Sequence, residues 1–137
     1  MSEHPAASAA ETIVRFFRFL DEQDYEALAG LLSEDAVWVR LNRPLNGPKE
    51  VLAALSQRDP ARATCHILTN FTVDPAPEGY RVSALMLGAH GARDDSGIAG
   101  FDGLAAIRRM DATLVPEPGG LKISRLRDTL MFRRADH

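Results

Sequence analysis

The chain has a single cysteine, Cys65, among its 137 residues. One thiol cannot close an intramolecular disulfide, and no Cys/His spacing suited to structural zinc is present, so neither a disulfide scaffold nor a zinc module is expected. Positive charge is not in excess either. The formal net charge is −3, and the basic residues are scattered apart from Arg108-Arg109 and Arg133-Arg134. That pattern carries no footprint for nucleic acid. Long apolar runs are also missing. The longest stretch poor in charge, Gly79–Ala92, is broken by Arg81 and is too short to span a bilayer. The opening MSEHPAASAAETIV has no charged segment followed by an apolar one, so no secretory signal is expected. These absences leave a cytoplasmic chain with no nucleic-acid and no membrane partner as the expectation.

What is present is ordinary globular material, with 45% hydrophobic and 26% charged residues. The length suits one domain, read here as residues 9–137 behind a flexible leader of residues 1–8. Ile13, Val14, Phe16, Phe17 and Leu20 recur at helical spacing and predict a helix over Glu11–Gln23. Asp24 is placed to cap a second helix, Tyr25–Leu32. Ala36–Leu41 reads as a strand, Asn42–Gly47 as a turn, and Pro48–Arg58 as a third helix with proline at its start. Four strands follow: Ala63–Val73, Tyr80–His90, Ile98–Met110 and Leu121–Phe132. Turn-rich segments separate them, including the Asp94-Asp95-Ser96-Gly97 turn, which lacks the rest of a calcium loop.

Helices first and a long antiparallel meander after them predict an α+β fold, with the helices covering one face of the sheet. In Tyr80–His90, Val82, Ala84 and Met86 alternate with Leu85, Leu87 and Ala89, so both faces of that strand are apolar. The outer face needs a cover too, and a second copy of the chain is the simplest, which predicts a homodimer.

The phrases FLDEQDYEALAGLLSEDAVW (19–38), LNGPKEVLAAL (45–55) and CHILTNFTV (65–73), in this order of elements, resemble the SnoaL-like proteins of the nuclear transport factor 2-like superfamily. The resemblance runs from about Thr12 to Phe132. It implies a cystatin-like fold: a cone-shaped curved antiparallel sheet with three N-terminal helices on its concave face and a pocket inside. The superfamily holds isomerases, dehydratases, polyketide cyclases and dioxygenase β-subunits without a catalytic role, so fold alone does not fix function. Within it, the chain is similar to scytalone dehydratase at three positions. LDEQDYEAL supplies Asp21, TCHILTN supplies His66 and GAHGAR supplies His90, together matching an Asp-His-His set. The two tyrosines that polarise that enzyme's substrate fall at Leu20 and Arg40 here, and its later polar pair falls near Asp102 and Leu104.

The residues themselves bear on each position. Asp21 lies on the apolar stripe of the first helix, where a carboxylate is costly unless paired; it is either held by a partner or caps the turn into the second helix. Strand alternation sends Cys65 and His66 to opposite faces, which excludes a thiol–imidazole dyad between them. Cys65 then reads as a small buried residue beside Ile67, Phe71 and Val73. His66 shares its face with Leu68, Asn70 and Thr72, and is either a pocket group or a satisfied core histidine. His90, at a strand end, is either a pocket group or an exposed turn residue. Arg40 shares a face with Trp38 and either meets an enolate or an acidic substrate or lies on the surface.

If Asp21, His66 and His90 converge, Asp21 can orient an imidazole, and histidine, with an ordinary pKa of about 6.5, can take and give a proton at neutral pH. That chemistry is proton abstraction beside a carbonyl, followed by isomerisation, loss of water or ring closure. Trp38, Arg40, Asn70, Met86 and Leu104 are the expected pocket residues, and a small hydrophobic molecule is the expected partner. Two histidines and a carboxylate also match an iron-type facial triad. Nothing in the spacing demands a metal and the resemblance implies none, so no metal or cofactor is expected. The competing expectation is a non-catalytic dimeric module of the same fold that binds a ligand or a partner protein.

Overall fold

The computed structural model describes residues 6–101 and 103–135. The elements run α1 (Ala6–Asp21), α2 (Tyr25–Ala29), β1 (Leu32–Arg40), β2 (Arg43–Asn46), α3 (Gly47–Leu55), β3 (Arg62–Ala76), β4 (Gly79–Ala92), β5 (Ala106–Glu117) and β6 (Gly120–Arg133). The six strands form one curved, unclosed sheet in the order β2-β1-β6-β5-β4-β3. β3 to β6 form the expected antiparallel meander. The sheet is nevertheless mixed rather than wholly antiparallel, because β6 runs parallel to β1. A parallel pair needs a long connection, and everything from β2 to β5 supplies it. The expected turn at Asn42–Gly47 contains the short strand β2, which folds back on β1 with Trp38 opposite Leu45.

α1 lies against β3, β4 and β6, α3 lies against β1 and β2, and α2 packs between the two helices. Ile13, Phe16, Phe17 and Leu20 bury the stripe read from the sequence. α1 begins at Ala6 rather than Glu11, so Ala6, Ala7 and Ser8 are helical; residues 1–5 lie outside the described residues. Alanine is the strongest helix former, and Ala9 is fully buried, which accounts for the extra turn.

The end of α1 is fixed by its backbone. Gln23 adopts φ 60°, its N–H donates to Leu20 O, and the Asp24 N–H donates to Phe19 O. This is a Schellman closure with glutamine in the left-handed position. Asp24 then caps α2 by accepting from the Ala27 N–H.

Two strands depart from simple alternation, with consequences for the site. The β3–β4 pairing slips between Thr69 and Thr72, where Asn70 takes φ 56°. This bulge puts Phe71 and Val73 against the core on the same side as Leu68, and turns Thr72 outward. The β5–β6 pairing slips between Thr113 and Leu114, so Ile123 and Leu126, three residues apart, are both buried. The strand expected over Ile98–Met110 begins only at Ala106. Before it the chain makes an irregular excursion, tied by the Asp94 carboxylate to the Ser96 and Ile98 N–H groups. Gly91 is required there: a Cβ on it would sit 1.8 Å from Gly100 O.

Cys65 is exposed on the outer face and not buried as expected, because the sheet leaves that face uncovered in the single chain. No helix among the described residues is long and apolar enough to cross a membrane.

Candidate active site

The Schellman closure leaves Asp21 as the last residue of α1, facing β3. Its carboxylate does not cap α2. Oδ1 accepts from Thr64 Oγ1 at 2.8 Å and lies 2.6 Å from His66 Nδ1, while Oδ2 accepts from the His66 backbone N–H at 2.8 Å. A carboxylate only accepts, so His66 presents Nδ1–H to it and keeps Nε2 for other partners. Both side chains are about one-fifth exposed, at 19% each. The Phe17 ring packs beside the imidazole at 5.4 Å between centroids. The costly position of Asp21 is thus compensated by three donors from one strand.

Arg58, just beyond α3, braces the same corner. Its Nη1 donates to Leu20 O and to Tyr25 Oη, and its Nη2 donates to Thr64 Oγ1. One guanidinium therefore satisfies an end carbonyl of α1 and aligns the threonine that holds Asp21.

His66 opens onto a cavity of about 640 Å³ that Trp38, Arg40, Met86 and His90 also line. A volume of this size suits a small organic ligand. Among the described residues, the Asp21 carboxylate is held by Thr64 and His66, and no hydrogen bond or ion pair joins it to His90. His90 is exposed at the cavity rim, where Arg62 Nη2 meets its ring, and it also borders a second cleft beside Gly100, Phe101 and Gly103. Asn70 does not line the cavity: the bulge carries it out to an exposed position, where Oδ1 accepts from Thr69 Oγ1. Leu104 lies in the segment before β5, 38% exposed and away from the cavity. Asp102 lies outside the described residues.

Asp128 was not anticipated. Continuing the alternation from Leu121 and Ile123 would place Arg125 and Arg127 inside; the bulge reverses this and points Asp128 into the cavity. Burial raises its carboxyl to about 6, against the opposing pull of Arg108 and His66. Asp128 Oδ1 and Trp38 Nε1 are buried with no hydrogen-bond partner among the described residues. Arg40, its guanidinium 5.8 Å from the Trp38 ring, has its pKa lowered by burial and by the like charge of Arg58. No cluster of potential metal ligands occurs among the described residues.

A family model described as the SnoaL-like domain matches residues 7–127. The chain belongs to the SnoaL-like domain family. No curated protein matches the sequence. Among solved structures, ActVI-ORFA from Streptomyces coelicolor superposes on this SnoaL-like chain with a TM-score of 0.76 at 15% identity, over 90% of this chain and 95% of the other. A putative scytalone dehydratase from Novosphingobium aromaticivorans gives 0.74 at 19% identity, over 94% and 85%. The β subunit of benzoate 1,2-dioxygenase from Burkholderia mallei gives 0.74 at 14% identity, over 96% and 93%. At these identities the likeness establishes the fold, which is nuclear transport factor 2-like and cystatin-like.

Proposed function

We propose that this SnoaL-like protein is an acid–base lyase or isomerase for a small hydrophobic carbonyl compound. The observation that carries the reading is the Asp21–His66 contact at the wall of a cavity that sets apolar side chains, Phe17, Trp38, Met86 and Leu130 among them, beside charged ones. His66 Nε2 takes the proton from the carbon beside the carbonyl, and Asp21 stabilises the imidazolium that forms. Asp128, whose carboxyl binds a proton more readily than an ordinary aspartate, gives a proton to the substrate oxygen. His90 at the rim exchanges protons with solvent. The enol then collapses, and its O–H proton returns to Asp128. The His66 proton goes either to carbon, giving the isomerised carbonyl compound, or to a β-hydroxyl that leaves as water, giving the unsaturated one.

The test is exchange of His66 for Gln and Asp21 for Asn, assayed by loss of deuterium from α-deuterated aromatic ketones. Each change is expected to lower the rate about 100-fold or more, the usual contribution of a positioned acid–base group. Unchanged rates in both variants, with circular dichroism intact, would sink the mechanism and favour a binding module of the same fold.

A homodimer through the outer face of the sheet belongs to the same proposal. Ile67, Leu87, Ile107 and Phe132 are mutual neighbours across four strands and form one apolar row there. Ile67 is 52% and Phe132 62% exposed in the single chain. Burying such a row against a second copy removes it from water. Light scattering should give twice the chain mass, falling to the monomer in Ile67→Asp.

A further inference from the structure

Four arginines, Arg40, Arg58, Arg62 and Arg108, line the cavity onto which His66 opens. None of them lies within ion-pair distance of a carboxylate among the described residues; the arginine ion pairs there are those of Arg15, Arg81 and Arg109 elsewhere on the surface. Arg58 is engaged by a carbonyl and two hydroxyls, all neutral, and Arg62 by the His90 ring. Arg40 makes no hydrogen bond among the described residues and rests over the Trp38 ring. It is half-buried, and Arg58 repels it. Two carboxylates also line the cavity. Asp59 is exposed and accepts from the Ala61 N–H, and Asp128 faces Arg108 and His66. They leave the lining with an excess of positive charge that the described residues do not neutralise.

An unpaired, partly desolvated guanidinium is costly, and a planar anion relieves that cost with two parallel hydrogen bonds. We propose that the cavity takes a carboxylate-bearing substrate, its anionic end on Arg40 and its apolar body along Trp38, Met86 and Leu130. The inference rests on the acid–base reading of this cavity and narrows its substrate to organic acids. Arg40 is a specificity residue here: it holds the remote anion while His66 meets the reacting carbon.

The experiment compares 4-phenylbutanoate with the neutral isostere 4-phenylbutanamide by titration calorimetry on the full chain. Trp38, the single tryptophan, reports occupancy of this cavity by its fluorescence. The acid should bind about tenfold tighter than the amide at low ionic strength, as a charge-assisted hydrogen bond implies. Added salt should narrow the gap. Arg40→Gln should bring the acid down to the level of the amide and leave the amide unchanged, and Arg40→Lys should restore part of the preference. Equal binding of acid and amide, an unchanged preference in Arg40→Gln, or no change in Trp38 emission with either compound would overturn the proposal. Asp21→Asn and His66→Gln should keep the preference. Preference without turnover therefore defeats only the catalytic reading, and turnover without preference defeats only this one.

Discussion

The His66 imidazole and the Asp21 carboxylate meet twice, through the ring Nδ1 at 2.6 Å and through the histidine's own backbone N–H at 2.8 Å. The second contact fixes the carboxylate against the strand backbone, so the first has a defined direction. A residue at the end of a helix and one in the middle of a strand, 45 positions apart, thereby behave as one unit.

Replacing Asp21 with Asn keeps the shape but sets an NH2 group against one of the three donors that now converge on the carboxylate. The expected loss is on the order of 1–3 kcal/mol, the cost of leaving a buried polar group unsatisfied. Urea denaturation monitored by circular dichroism measures it. The nitrogen shifts of His66 should also move away from the Nδ1–H tautomer, which a purely structural aspartate would not influence.

Asp128→Asn should stabilise the protein at neutral pH. The folded-state carboxyl titrates at about 6, above its unfolded value, so the folded chain holds this proton more tightly than the unfolded chain. The charged form therefore costs stability above about pH 6, and that cost fades as pH falls from 6 towards 4. The variant should gain on the order of 2 kcal/mol at pH 7.5 and little at pH 4. Denaturation midpoints at the two pH values check the sign.

Asn70 holds φ 56°, a conformation asparagine tolerates and β-branched residues do not. Asn70→Gly should leave stability within about 0.5 kcal/mol, while Asn70→Val should lose about 1–3 kcal/mol. Because the bulge decides which of the following residues reach the core, the valine variant should also loosen Phe71 and Val73, visible as faster amide exchange in β3.

The order of the helices and long strands, the buried stripe of α1 and the cap at Asp24 are legible in the residues alone. Each follows from a local period or a local preference. Asp21 and His66 stood out as a set through the resemblance to the SnoaL-like proteins, Asp21 also by the cost of a carboxylate on an apolar stripe. Alternation put Trp38 and Arg40 on one strand face, and the resemblance supplied the pocket that they and Met86 line. What alternation leaves open is settled by how the strands pair. One added residue in β3 sent Asn70 out of the pocket, and one in β6 brought Asp128 in. A bulge is set by how two strands pair, so neither strand's own sequence announces it. The same holds for β1 beside β6: which edge of the sheet the last strand finds depends on the curvature of the whole, and that pairing gathers Trp38, His66 and Asp128 around one cavity.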